Sequence, residues 1–253
     1  MRFASLASGS RGNALLVEAV GTRLLLDCGL TLRDLEARLA RLGVDPRSLD
    51  GVLVTHEHQD HIRGVGPLAR RYRLPVWMTA GAWRAGRCGE LPRLHLIHPH
   101  QAGWRIGDIA VETFPIPHDA REPTQFRFTA EGLSLGVLTD AGHVTPHIQA
   151  LLQDCDALLL ECNHDPQMLA QGPYPPQLRR RVGGAYGHLS NVQAAALLCQ
   201  LKVGRLRHLL AAHLSEQNNL PQRVQETLLE AVPALEGRLA IAAQGEITPW
   251  FQL

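Results

Sequence analysis

The sequence predicts an α/β fold in which two mixed β-sheets pack face to face, with helices covering their outer surfaces. Segments with strand character alternate with short amphipathic helical segments along the 253 residues. The strands fall into two groups, before and after about residue 120, and each group is flanked by helices. No linker, charge run or repeat separates the two groups. We therefore expect a single domain over residues 1–253.

The first group of strands is separated by turn-rich sequence. The predicted strands are Arg2–Ala7, Ala14–Val20, Arg23–Leu26, Val52–Val54 and Pro75–Met78. The segment Ser8–Asn13 and Gly21 mark the turns between the first three strands. Four leucines at helical spacing predict a helix over Thr31–Leu42 that ends at Gly43, and Ile62–Arg71 predicts a second helix.

The second group of strands has the same character. The predicted strands are Ala110–Phe114, Gln125–Thr129, Leu133–Leu138, Leu158–Leu160 and Leu206–Ala211. The segments Asn191–Leu201 and Pro221–Ala231 predict the closing helices. Each group of strands therefore has helices of its own with which to cover one face.

Composition favours a globular protein of balanced charge. With 45% hydrophobic and 19% charged residues, low-complexity disorder is not indicated. The 25 Lys and Arg residues nearly cancel the 24 Asp and Glu residues. Any polyanion would therefore have to be bound by a local cluster of charge rather than by an overall field.

The cellular compartment is indicated by the cysteines and by the apolar segments. Five cysteines are an odd number and form no CxxC pair, which argues against a secreted disulfide framework. Met1 is followed almost at once by the first predicted strand, without an apolar signal core. The longest apolar stretches, such as Leu206–Ala212, are too short to span a bilayer. These features predict a cytoplasmic protein with no membrane partner.

A cluster of metal-ligand residue types follows the strand Val52–Val54. The sequence there reads His56-Glu57-His58-Gln59-Asp60-His61. In an extended chain, residues two apart face the same side, so His56 and His58 can hold one ion together. Asp60 and His61 lie where the chain turns into the next helix and can face a neighbouring ion. Imidazole and carboxylate suit zinc, manganese or iron, and the alternative is a polar loop that is merely rich in histidine.

This HxHxDH pattern resembles the signature of the metallo-β-lactamase superfamily, and further elements of that superfamily's pattern follow it. Pro117-His118-Asp119, Thr139-Asp140 and His213 each come after a predicted strand. The resemblance implies an αββα sandwich that holds two divalent metal ions. It implies that one ion is held by His56, His58 and His118, the other by Asp60, His61 and His213, and that Asp140 bridges them. Taken singly, these late residues could instead be ordinary core or turn residues.

The matching stretches narrow the resemblance to the YycJ/WalJ-like subgroup, which contains nuclease-like members. They cover most of the chain and include Ser8–Asn13, Asp27–Leu30, Glu161–Asp165, Gly172–Pro175, Gly187–Asn191 and His213–Asn219. Asp27 matches an aspartate that supports a metal-bound histidine, although a turn-capping role is the alternative. Two positions depart from the subgroup's pattern, with Gln59 in place of the commoner serine and His143 in place of tyrosine.

Glu161 and His188 suggest a proton donor for a phosphate substrate. Ser190 and Gln193 have capping-box spacing, so a helix begins close to His188, and helix N-termini favour phosphate. A similar pair occurs in phosphodiesterase members of the superfamily, including the tRNA-maturing ribonuclease Z group. The resemblance implies that His188 is a general acid and that Glu161 orients it, whereas purely structural roles are the alternative.

Three further features have two interpretations each. His164 either touches substrate or completes a hydrogen-bond network. The Ser8–Asn13 loop, with Ser8, Ser10 and Asn13, either wraps a phosphate or is a glycine-rich turn. Arg179-Arg180-Arg181 either contact a polyanion backbone or form a solvated basic cluster.

The function expected from these residues is phosphodiester hydrolysis by a binuclear metal enzyme, an exonuclease that acts on the ends of DNA or RNA. A hydroxide bridging the two metals would attack phosphorus, with Asp60, Glu161 and His188 as the catalytic residues. The alternatives are a small-molecule hydrolase of cyclic phosphodiesters, thioesters or lactones, and a non-catalytic regulator. An inserted β-CASP domain is excluded, because only about 73 residues separate Asp140 from His213. The sequence leaves open the metal, the choice between DNA and RNA, the end attacked, the pathway and the oligomeric state.

Overall fold

The computed structural model describes residues 1–101 and 103–253, which form two seven-stranded mixed sheets. In the first sheet, the strand order is β14-β1-β2-β3-β4-β5-β6. These strands are β1 (Arg2–Ala7), β2 (Ala14–Ala19), β3 (Thr22–Leu26), β4 (Gly51–Leu53), β5 (Pro75–Thr79), β6 (Arg93–Ile97) and β14 (Phe251–Gln252). Strands β3 to β6 run parallel to one another, whereas β1, β2 and β3 pair antiparallel.

The second sheet has the strand order β13-β12-β11-β10-β9-β8-β7. Its strands are β7 (Trp104–Ile106), β8 (Ile109–Pro115), β9 (Thr124–Ala130), β10 (Leu133–Leu138), β11 (Ala157–Glu161), β12 (His208–Ala212) and β13 (Leu239–Ile241). Strands β10 to β13 are parallel, and β7 to β10 pair antiparallel.

The helices are mostly short. They are α1 (Leu32–Arg41), α2 (Gln59–Ile62), α3 (Val65–Tyr72), α4 (Ala80–Ala85), α5 (Pro146–Leu152), α6 (Pro166–Gln171), α7 (Pro176–Val182), α8 (Asn191–Gln200) and α9 (Pro221–Ala231). Ser190 caps α8 in the capping box that the sequence predicts, with Gln193 as its partner. In the part of the chain that the structure describes, none of these helices has the length and apolar character needed to cross a bilayer.

Alternation along the strands divides the core into three apolar layers. On β10, Leu135 and Val137 point to the cluster between the sheets, whereas Leu138 joins a cluster behind the second sheet. That outer cluster includes residues of α5, α8 and α9, and a matching cluster behind the first sheet includes residues of α1 and α3. The four layers are therefore helix, sheet, sheet and helix, as predicted.

Two sequence predictions about local structure are wrong. The predicted helix Ile62–Arg71 is divided between α2 and α3, because Gly64 passes against the backbone after β3 and its N–H bonds to the carbonyl of Cys28 at 2.7 Å. The predicted strand Ala14–Val20 ends one residue early, because Val20 has φ 54° in the tight turn before β3.

The fold brings the ends of seven strands to one edge of the sandwich. The predicted site residues that follow or end these strands are Ser8 (β1), Asp27 (β3), His56 (β4), His118 (β8), Asp140 (β10), Glu161 (β11) and His213 (β12). This is the edge where open α/β sheets place their sites.

Candidate metal centre and catalytic cleft

Three histidines converge at the first half of the centre. Nε2 of His56 lies 3.1 Å from Nδ1 of His58, and Nε2 of His118 lies 3.2 Å from that same atom. Nδ1 of His118 donates to the carbonyl oxygen of Gly187 at 3.2 Å, which leaves Nε2 with its lone pair. Ring nitrogens this close repel one another unless a proton or a cation lies between them.

Two carboxylates and two histidines form the second half. Nε2 of His61 lies 3.5 Å from Oδ2 of Asp60 and 3.3 Å from Oδ2 of Asp140. Nε2 of His213 lies 3.7 Å from Oδ2 of Asp60 and 3.5 Å from Oδ1 of Asp140. Asp140 Oδ2 and His213 Nε2 are buried without a hydrogen-bond partner in the described part of the chain. Buried polar atoms without partners are costly, so these two atoms indicate a bound cation.

The two halves adjoin at Asp140. Ligand atoms of His56, His61 and Asp140 all lie within 4.8 Å of one another. The same holds within His56, His58 and His118, and within Asp60, His61 and His213. Three imidazoles on one side and mixed imidazole and carboxylate on the other are ligands that divalent transition metals accept, so the residues present fit divalent metal binding.

Electrostatics distinguishes the two halves. Burial, together with the neighbouring imidazoles, holds the pKa of His56 well below its usual range, and burial also lowers the pKa of His118. Burial alone would lower the pKa of His213, but carboxylates led by Asp140 raise it to about 10, and they also raise the pKa of His61. His56 and His118 are therefore neutral and offer lone pairs, whereas His61 and His213 hold positive charge among the carboxylates. A divalent cation would supply that charge.

Asp27 lies behind the centre, where the sequence predicts a supporting carboxylate. Nδ1 of His61 donates to its Oδ2 at 2.8 Å. Its two oxygens also accept from the backbone N–H and the hydroxyl of Thr55, both at 2.8 Å. The Thr55 hydroxyl oxygen lies 2.9 Å from Nδ1 of His56 and accepts a hydrogen bond from that N–H group. Asp27 and Thr55 therefore fix the orientation of one histidine in each half.

Glu161 contacts both His188 and His213. Its Oε1 accepts from Nδ1 of His188 at 2.8 Å and from Nδ1 of His213 at 3.1 Å. Its Oε2 accepts the backbone N–H groups of Ala141 and Leu189. The sequence pointed only to His188, because the second contact depends on the pairing of β11 with β12.

The Ser8–Asn13 loop contacts the centre from one side. The hydroxyl of Ser8 accepts the backbone N–H of His213 at 2.7 Å. Nδ2 of Asn13 lies 3.0 Å from Nε2 of His61, and Ser10 lines the cleft beside it. Two of the three loop residues therefore touch residues of the centre directly.

An open cleft of about 370 Å³ lies over the centre. His188, Tyr174 and Leu178 are among the residues that line it, together with Arg181, whose Nε lies 2.5 Å from Oδ2 of Asp119. The structure does not bring His164 into this cleft and places it in a separate groove instead. Asp119 and Tyr174 belong to stretches that match the superfamily and the subgroup respectively, but the sequence assigned neither a role.

Comparisons with known proteins agree with this fold. The chain matches the family model of the β-lactamase superfamily domain over residues 22–213. The exodeoxyribonuclease YycJ of Bacillus anthracis is 36% identical over 225 residues, which cover 88% of this chain and 85% of that protein. The exodeoxyribonuclease WalJ of Streptococcus pneumoniae is 34% identical over 233 residues, which cover 90% and 87%. The metallo-β-lactamase fold protein YhfI from Bacillus subtilis superposes with a TM-score of 0.74 at 18% identity, over 98% of this chain and 99% of that one.

The fold and the centre define a metal-dependent hydrolase. The chain belongs to the metallo-β-lactamase superfamily and, within it, to the YycJ-like group represented by YycJ and WalJ. The predictions of fold class and family are thereby confirmed.

Proposed function

We propose that the chain is a metal-dependent phosphodiesterase that removes nucleotides from the ends of DNA. The pairing of His188 with Glu161 beside the metal centre carries the proposal, because phosphodiester cleavage needs a proton for the leaving oxygen. The similarity to two exodeoxyribonucleases over most of the chain supports DNA as the substrate.

We propose two metal ions, with zinc, manganese and iron as the candidates. His56, His58 and His118 would hold one ion, Asp60, His61 and His213 the other, and Asp140 would contact both. When bound, such ions lower the pKa of a water molecule and offset the charge of the phosphate oxygens. In this proposal Asp27 and Ser8 keep the ligands in place, and Asn13 holds the loop against them.

His188 would act at the leaving oxygen. Its Nδ1 is engaged by Glu161, so Nε2 is the nitrogen left to face the cleft, and the side chain is 21% exposed. Burial alone would lower the pKa of His188, but Glu161 and Asp140 raise it above the usual value, so the ring keeps its proton to a higher pH than a free imidazole does. Glu161 orients this acid and does not itself touch the substrate.

The test compares leaving groups of different basicity. His188→Ala should keep the wild-type metal content and melting temperature, while kcat on an oligonucleotide falls roughly 10²–10⁴-fold. On bis-p-nitrophenyl phosphate the loss should be much smaller, because p-nitrophenolate leaves without protonation. Equal losses on both substrates would rule out the acid role, and faster turnover of a glutathione thioester than of any phosphodiester would overturn the substrate class.

We also propose a cytoplasmic location. All five cysteines have free thiols, and Cys28, Cys88, Cys155 and Cys162 are buried. Free thiols in this number suit a reducing compartment.

A further inference from the structure

A second groove lies on the far side of α7 from the cleft. It has a volume of about 460 Å³. Leu178, Arg181 and Val182 of α7 line the cleft, whereas Arg179 and Arg180 of the same helix line the groove. The two cavities are therefore separated by the width of one helix, ~10–12 Å with side chains.

A buried histidine opens into this groove. His164 is only 4% exposed, and its Nδ1 has one long contact, 3.4 Å to Oδ1 of Asn163. Its Nε2 makes no hydrogen bond within residues 1–101 and 103–253. Burial lowers the pKa of His164 to about 4, so the ring is neutral and has both a donor and an acceptor nitrogen. Its backbone is fixed, since its carbonyl accepts the N–H of Asn191 at the start of α8.

The remaining walls of the groove are basic and apolar. Leu169, Pro166 and Pro176 supply apolar surface. Arg180 makes no ion pair in the described part of the chain, and the guanidinium of Arg179 bonds only to the carbonyl of Ala170. No acidic side chain lines the groove among the described residues. Since the chain carries a net charge of only +1, this patch is a local concentration of positive charge.

We propose that this groove binds one nucleotide of single-stranded DNA whose end lies in the cleft, with the strand crossing α7 between them. The inference rests on the proposed function and adds the form of the substrate. The base would pack on the apolar wall with His164 at its edge, and the guanidinium groups would contact the phosphate. In a duplex, the edge of each base is hydrogen-bonded to the opposite strand and cannot contact His164. The groove therefore selects an unpaired strand.

The separation of the cavities gives a length requirement. Stacked nucleotides rise ~3.4 Å each, so about three or four of them span α7. A 5′-labelled 12-mer reaches the groove, whereas bis-p-nitrophenyl phosphate does not. The groove therefore contributes to the KM of the 12-mer alone.

The experiment measures KM and kcat of the metal-loaded enzyme on both substrates. Arg180→Ala and the double variant Arg179→Ala/Arg180→Ala should raise KM for the single-stranded 12-mer roughly tenfold or more, because charge-assisted contacts are lost. The effect should be confined to the 12-mer. Arg105→Ala is the matched control, because Arg105 is an exposed residue of β7 at the end of the sheets opposite the centre, and it should leave both substrates unchanged.

Each outcome decides one proposal. An unchanged KM for the 12-mer in both arginine variants would overturn the groove while leaving the phosphodiesterase intact. The same rise in KM for a blunt duplex would also overturn it, because a general backbone contact would explain both. Hydrolysis of neither substrate by the wild-type enzyme would instead refute the proposed function. His164→Ala should weaken binding of the 12-mer to the same groove, as measured by fluorescence anisotropy.

Discussion

Three residues of the candidate centre have an unusual backbone conformation. Asp27, Asp140 and His213 have φ angles of 60°, 58° and 56°, a region that costs non-glycine residues roughly 1–2 kcal/mol each. Each follows a strand at the edge where the chain must turn sharply. The backbone N–H of Asp27 bonds to the carbonyl of Leu53 at 2.8 Å, and that of His213 bonds to Ser8. These hydrogen bonds stabilise the strained turns, which direct the side chains into the centre. A relaxed turn would point the same side chains elsewhere.

Glu161 provides the most direct test at the scale of a single residue. Both of its oxygens accept two N–H groups, so Glu161→Gln must turn an amide N–H₂ toward donors whichever way it lies. We expect a loss of roughly 1–3 kcal/mol in the free energy of unfolding. We also expect reduced metal content, because the backbone N–H groups of Ala141 and Leu189 can only donate, so the amide N–H₂ turns toward His213 and deprives it of its orienting acceptor. Elemental analysis and chemical unfolding measure the two effects.

His188→Ala is the matched comparison, since it removes one partner of Glu161 and leaves the contact with His213 intact. If Glu161→Gln retains metal as well as His188→Ala does, the contact with His213 has no role in holding the ion.

Among the elements, helix α2 has only four residues yet carries Asp60 and His61. Close backbone approaches hold it in place. A Cβ on Gly29 would lie 1.7 Å from the carbonyl oxygen of Asp60, and one on Gly64 would lie 2.2 Å from that of Leu30. The break between α2 and α3 is therefore a packing requirement that lets the short helix face the centre.

We expect Gly64→Ala to displace α2 and to lower the free energy of unfolding by about 1–3 kcal/mol, with loss of metal. Gly204→Ala is the control, because a Cβ there meets open space and should change stability by less than about 0.5 kcal/mol. Equal stability and metal content in the two variants would show that the backbone yields at Gly64 without moving the ligands.

The elements also show what sequence can predict. Most strands carry apolar patterns bounded by turn residues, and their predicted limits lie within one or two residues of those observed. The sequence does not predict helices α4 to α7. Each has six or seven residues, which is too few turns to show an amphipathic stripe. The HxHxDH residues could be found because they are adjacent in sequence. The contact of Glu161 with His213 and the groove beside His164 depend on strand register and helix placement, which local pattern does not contain.

At the scale of the whole molecule, the centre joins the two sheets. His56, His58, Asp60 and His61 follow a strand of the first sheet, whereas His118, Asp140 and His213 follow strands of the second. Strand β14 also returns the chain to β1, with Phe251 stacked on Phe3. We therefore propose that residues 1–253 fold as one domain, in which bound metal stabilises the interface between the sheets.

Metal removal tests this coupling. A ligand held at 100 times its Kd stabilises the folded state by about 2.7 kcal/mol, and 1 kcal/mol shifts Tm by about 2–4 °C in a chain of this size. Chelation should therefore lower Tm by roughly 5–10 °C, and zinc or manganese should restore it. Calorimetry should show a single transition in both states. Each ion would be held by ligands that follow strands of both sheets, and Asp140 would connect the two ions. A chelated protein with unchanged Tm, or two separate transitions in the loaded one, would contradict the coupling of the sheets through the metal centre.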